Sequence, residues 1–228
     1  MQDLDPHQRP PEGIRSVYKK YQKMKLKELD QDQDIIDLSS QESDLSSKRK
    51  LRWTTLGGQY DWTAKRYPGD APPPPFPPDI KDLLEGLPFT DTKAEAAIVN
   101  LYSPGDTLSV HRDVAETSGT GLISISLGCD AVFVIGTSAS ASPDTAADAE
   151  DGGVQEKVLA LRLRSGSAVY MSGASRFAWH GVPQIVPNTC PNHLKNWPGT
   201  AEGGGQYEEW KGWMAGKRVN LNVRQMRD

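Results

Sequence analysis

Cysteine is scarce: the chain has two in 228 residues, Cys129 and Cys190. Two thiols cannot build a disulfide framework, so the chain reads as one that folds in a reducing compartment on its core alone. Cys190 and His193 share a C-x-x-H spacing, but structural zinc wants four ligands and the sequence offers no second half. Long apolar runs are missing as well. With no stretch near the ~20 residues of a membrane helix, and no basic-then-apolar start, a soluble, intracellular protein that avoids membranes is expected. An excess of positive charge is lacking too, since 26 Lys and Arg stand against 30 Asp and Glu for a net charge of −4. That excludes a surface coated for indiscriminate DNA binding. Nucleic acid stays open as the partner of a local site, because many of the acids crowd into 30–44 and 144–151. Apolar residues reach 36%, beside 21 Gly and 17 Pro, a balance that predicts loops and tails around a compact core.

What is present is mostly short alternation. Residues 122–127 alternate, Gly128-Cys129-Asp130 turns and 131–135 returns, which predicts a hairpin. A second is predicted from 158–164 and 168–171 around Ser165-Gly166-Ser167. Residues 137–156, rich in Ser, Ala, Asp and Gly, read as a disordered insertion at a hairpin tip. Many short strands without a repeat period predict a mainly β fold, a double-stranded β-helix (jelly roll, cupin-like) with a few flanking helices. Ile14, Val17, Tyr18, Tyr21 and Met24 recur at helical spacing, giving an amphipathic helix whose default role is packing. Asp79 fits an N-cap for a short helix over 80–85 with Leu83 and Leu84 inward. Residues 30–50 read as an acidic, Ser-rich linker, so 1–50 is expected ahead of a single domain over 51–228.

The chemistry begins at Ser109-Val110-His111-Arg112-Asp113. In an extended segment His111 and Asp113 share a face, which supplies an imidazole and a carboxylate of the two-His, one-carboxylate set that holds non-haem Fe(II). Of the four His, His180 in a second apolar segment is the best third ligand. H-x-D alone equally fits an ordinary polar loop. The C-terminal run Arg218-Val219-Asn220-Leu221-Asn222-Val223-Arg224 alternates strictly. Its polar face is either an edge strand meeting water or, with two guanidinium forks, a site for a dicarboxylate.

Together these motifs resemble the AlkB family of Fe(II)/2-oxoglutarate dioxygenases, in particular the eukaryotic, fungal homologues of the first type. Asn100-Leu101-Tyr102-Ser103-Pro104-Gly105-Asp106-Thr107-Leu108 is similar to the family's N-x-Y-x-P-G-x-x-L run ahead of H-x-D. Ser172-Gly173-Ala174-Ser175-Arg176 and His180-Gly181-Val182 are similar to its segment around the distal His. The resemblance implies Fe(II) on His111, Asp113 and His180, with dioxygen as co-reactant. It implies 2-oxoglutarate held by Asn100, Tyr102, Arg218, Asn220 and Arg224, with Arg218 at the far carboxylate and Arg224 at the near one. It implies that Trp53, in an aromatic lid over 52–62, stacks on a substrate base, and that a monomer demethylates N-methylated bases in DNA or tRNA in the nucleus, cytoplasm or mitochondrion. Two alternatives keep the fold: a hydroxylase of a protein or small molecule, and a catalytically impaired binding module left by the short region before Leu51.

Overall fold

Ten strands form two five-stranded sheets in the computed structural model, which describes residues 5, 8–37, 52–68, 72–87, 91–139, 155–199 and 205–228. In chain order they are β1 (Ile35–Asp37), β2 (Trp53–Gly57), β3 (Ala96–Tyr102), β4 (Leu108–His111), β5 (Leu122–Gly128), β6 (Ala131–Ala139), β7 (Gln155–Leu163), β8 (Ala168–Met171), β9 (Trp179–Ile185) and β10 (Arg218–Arg224). One sheet runs β1-β7-β6-β9-β4 and the other β2-β3-β10-β5-β8. The pairing is antiparallel except where β1 joins β7.

This is the jelly-roll arrangement that the strand pattern predicts, but it corrects both hairpins. β5 and β6 leave the Gly128-Cys129-Asp130 corner for opposite sheets, and β7 and β8 do the same. The hairpin partners are β6 and β7, in register from Ala131 opposite Leu163 to Ala139 opposite Gln155. Alternation reports which face of a strand is buried and carries no information on which strand lies beside it. Gly128 makes the corner possible: its φ is +87°, and a Cβ there would collide with the Lys217 carbonyl.

Three apolar layers result. Tyr102, Leu122, Phe133, Leu163, Met171, Val182 and Ile185 fill the space between the sheets. On the outer face of the first sheet, helix α1 (Glu12–Gln22) sets Ile14 and Tyr21 against Val132, Val134 and Trp179. Each such buried side chain contributes roughly 1.5–3 kcal/mol relative to exposure, so the N-terminal helix is bound to the sheet by its own apolar stripe. A short turn of helix, α2 (Leu26–Leu29), adds Leu29 to the same layer. On the outer face of the second sheet, α3 (Pro78–Glu85) sets Leu84 against Ala97, Ile123 and Val223.

Several expected boundaries move. α3 begins at Pro78, so Asp79 lies in its first turn rather than at its cap, and Leu83 points outward, 63% exposed. The linker expected over 30–50 is partly structured: Asp30 pairs with Arg162 at 2.7 Å and β1 extends the first sheet, while 38–51 lie outside the described residues. The insertion expected over 137–156 narrows, because β6 runs to Ala139 and β7 starts at Gln155; 140–154 lie outside the described residues. Among the described residues no helix is long and apolar enough to cross a membrane.

Candidate metal centre

β4 and β9 pair with His111 directly opposite His180. A Cβ on Gly181 would meet the Leu108 carbonyl oxygen at 2.9 Å, so the glycine after His180 lets the two strands close. The imidazole centroids stand 4.4 Å apart. Asp113, two residues beyond β4, turns a carboxylate toward both rings, with Oδ1 3.7 Å from His111 Nε2 and Oδ2 3.7 Å from His180 Nε2. His111 Nδ1 lies 2.8 Å from the Ser109 carbonyl and His180 Nδ1 lies 3.0 Å from the Ala178 carbonyl. A carbonyl can only accept, so each Nδ1 donates its hydrogen and each Nε2 presents a lone pair to the carboxylate side.

One donor atom from each of the three residues falls within 4.8 Å of the others, and among the described residues no second such cluster of three forms. The protonation states suit a cation. Burial, helped by His111, holds His180 down at about 4 against the pull of Asp113. Burial would raise the Asp113 carboxyl, but Arg224 and the two imidazoles outweigh it and hold it well below the usual carboxylate range. Two imidazoles and one carboxylate, with the ring hydrogens tied back, are the donor set of the facial triad that suits non-haem Fe(II).

The triad opens on a cavity of about 440 Å³. β10 decides the choice left by its alternation. It lies between β3 and β5, with Leu221 and Val223 packed toward α3 and its polar side chains turned into the cavity, so the face meets an enclosed site and not bulk water. Asn220 Nδ2 donates to Ser124 Oγ at 2.8 Å, and Asn222 Nδ2 donates to Asp113 Oδ2 at 3.3 Å. Arg218 is 1% exposed, and Nη2 donates to Ser126 Oγ at 3.0 Å. Its Nε and Nη1 find no hydrogen bond among the described residues, and neither does the Tyr102 hydroxyl, although the guanidinium lies 5.2 Å from the Tyr102 ring. Burial pushes the Arg218 pKa down and the Tyr102 phenol up to about 12, each opposed by the other. A buried cation that meets only the neutral Ser126 hydroxyl and Tyr102 phenol, and no carboxylate, is arranged for an anion. Arg224 differs: Nη2 is 3.4 Å from Asp113 Oδ2 and Nη1 is 3.0 Å from Glu116 Oε1, and these carboxylates outweigh burial and raise its pKa.

His111, Asp113, His180, Asn100, Arg218, Asn220 and Arg224 therefore all line one cavity. Tyr102 does not; it sits behind Arg218 in the core. Trp53 lies outside the lining, 43% exposed on the edge strand β2, with its ring 4.8 Å from Trp62. The aromatic wall is Tyr60 and Trp62, edge to face at 4.7 Å. The expected lid segment thus reaches the cavity through Tyr60 and Trp62, with Trp53 set against Trp62. Lys217 is buried with Nζ on Ser103 Oγ at 2.6 Å, and Lys211 pairs with Glu208. Residues not singled out as site members from the sequence are Asn222, which the pleat of β10 already placed on the right face, Arg176, which ends the motif before the distal His, and Glu116, which no spacing marks.

Comparison with known proteins agrees with this geometry. Residues 17–224 match the 2OG-Fe(II) oxygenase superfamily. The chain is 54% identical over 184 residues to the N6-methyladenosine RNA demethylase ALKBH of Cryphonectria parasitica, covering 79% of this chain and 78% of that protein. It is 41% identical over 235 residues to the tRNA demethylase abh1 of Schizosaccharomyces pombe, covering 99% and 68%. The solved structure of OsALKBH1 superposes with a TM-score of 0.51 at 25% identity, covering 76% of this chain and 77% of that one.

Proposed function

Because the chain belongs to the 2OG-Fe(II) oxygenase superfamily, it is a dioxygenase that uses Fe(II), 2-oxoglutarate and dioxygen, and we propose that it removes methyl groups from N-methylated bases in nucleic acid, RNA above all. The observation that carries this reading is the single cavity with a cation site of His111, Asp113 and His180, a buried guanidinium at Arg218 without an anion, and a wall of Tyr60 and Trp62. The names of the two fungal relatives supply the choice of RNA.

In this reading His111 Nε2, His180 Nε2 and one Asp113 oxygen hold the iron. Arg218 takes the far carboxylate of 2-oxoglutarate, supported by Tyr102 from behind, and Arg224 stands at the iron end. Asn100 and Asn220 line the walls between them. The bound iron, with 2-oxoglutarate and dioxygen, supplies the oxidation that turns an N-methyl group into a hydroxymethyl group, which leaves as formaldehyde while succinate and carbon dioxide are released. The protein's part is to orient and to exclude water. Trp62 and Tyr60 offer π faces to a base, which must be unpaired or flipped out to reach the cavity.

The test is succinate and formaldehyde release from N-methylated RNA strands, tRNA stem-loops and DNA strands, beside a methylated peptide. Release with methylated RNA supports the reading. Release with the peptide and with none of the nucleic acids would end it.

A further inference from the structure

Glu116 takes no part in that scheme, yet its side chain has no exposed surface and it holds two cations. Oε1 accepts from Arg224 Nη1 at 3.0 Å and Oε2 accepts from Arg176 Nη2 at 3.2 Å. Arg176 is fixed from elsewhere, with Nη1 donating to the Asp113 carbonyl at 2.9 Å and Nε to the Thr120 carbonyl at 2.6 Å. Arg224 also has Asp113 within reach, at 3.4 Å. One guanidinium is thus shared between two carboxylates, and the shorter contact goes to the one that faces no ring.

We propose that Glu116 is a positioning residue: it draws Arg224 off Asp113 and so leaves the Asp113 carboxylate free to bind a divalent cation. A guanidinium with no competitor forks onto a carboxylate through both oxygens. On Asp113 that fork would engage the two oxygens that now face His111 and His180 at 3.7 Å each, and would set a fixed positive charge where the cation must sit. Glu116, braced from its far side by Arg176, limits Arg224 to one long contact. Formal charges in the cluster of Asp113, Glu116, Arg176 and Arg224 cancel, so loss of the Glu116 charge alone leaves an excess positive charge beside the metal position.

The inference rests on the metal reading of the triad, and the test separates the two. Mn(II) affinity is measured on the whole chain without 2-oxoglutarate, by calorimetry or by the free-ion resonance, with a melting curve for each variant. E116Q is expected to bind Mn(II) roughly tenfold or more weakly, the scale of one charged hydrogen bond redirected. E116Q/R224Q, in which the competitor is gone, returns close to the wild-type affinity. E116Q/R176Q is equally balanced in charge but keeps Arg224 unopposed, and it stays weak. An E116Q affinity equal to wild type overturns the proposal, as do two double variants of equal affinity, since a residue that merely supports the fold would be rescued by neither or by both. Should E116Q fail to fold, the two charge-balanced doubles decide alone. A cooperatively melting wild type that binds no Mn(II) would sink the metal reading itself, and this proposal with it.

Discussion

Arg218→Met should make the protein more stable and less able to work. Arg218 is buried with its charge opposed by desolvation, and it meets only neutral groups, the Ser126 hydroxyl and the Tyr102 phenol. Met keeps the length of the side chain and can lie on the Tyr102 ring, while the desolvation cost disappears. Replacing buried charge with apolar groups of similar volume is neutral to about 1–4 kcal/mol stabilising. For a chain of this size each kcal/mol moves Tm by about 2–4 °C, so the ligand-free variant is expected to melt at or up to roughly 16 °C above wild type. The ligand response goes the other way. In the presence of Mn(II), 2-oxoglutarate at 100 times its Kd adds about 2.7 kcal/mol to wild type, a rise of about 5–11 °C. The variant, without a partner for the far carboxylate, shows no rise at that concentration. Scanning calorimetry with and without 2-oxoglutarate reads both effects. A ligand-free variant that melts several degrees lower, together with an unchanged 2-oxoglutarate shift, would refute the assignment of Arg218 as an unpaired cation awaiting a carboxylate.

Two further outcomes follow from the site. His180 has its pKa depressed from 6.5 to about 4, so the unfolded chain binds the extra proton first. The stability this group contributes is fully present above pH 6.5 and is lost as pH falls toward 4, by about 3 kcal/mol in the metal-free protein. Metal-free urea melts at pH 7 and pH 4.5 should show a loss that shrinks in His180→Gln; equal losses in both proteins would move the cause elsewhere. Trp62→Ala should raise KM for a methylated RNA strand roughly tenfold, as expected for one lost base stack, with less effect from Trp53→Ala, which meets the wall only through Trp62. A larger effect at Trp53 would restore it as the stacking ring.

How much of this was legible in the sequence depended on whether a local pattern carried the answer. H-x-D fixes its own geometry through the pleat, so His111 and Asp113 could be placed on one face before any partner was known. His180 lies far along the chain, and its role followed from the scarcity of histidine and from the small-residue segment before it. β10 showed which residues share a face but not what that face meets. That answer comes from β3 and β5 on either side and from α3 above, all distant in sequence. The two supposed hairpins failed for the same reason, because a turn between alternating strands reads alike whether the second strand pairs with the first or crosses to the other sheet. The resemblance singled out Trp53, and only the packing of the lid brings Trp62 to the cavity. Glu116 is invisible in any pattern. Its significance lies in two arginines that reach it from 60 and 108 residues away.

The two arginines of β10 show why one strand can serve both ends of a dicarboxylate. Arg218 and Arg224 have the same chemistry and the same facing, and both are buried. Arg218 sits among a hydroxyl, an aromatic ring and backbone, so its charge is unmet until an anion arrives. Arg224 is already met twice, by Glu116 and Asp113. An anion entering the cavity gains most where the cation is unmatched, because the low dielectric of the interior makes an unpaired charge costly and a new partner correspondingly favourable. On the proposed assignment the far carboxylate is captured by attraction to Arg218. At the other end Arg224 has little charge left to offer, because Glu116 holds it at 3.0 Å and leaves it one long contact with Asp113 at 3.4 Å. Binding strength and metal geometry are thus assigned to opposite ends of one strand by what stands beside each guanidinium, and exchanging those surroundings, with a carboxylate placed near Arg218, would abolish cosubstrate binding without touching any residue that contacts the metal.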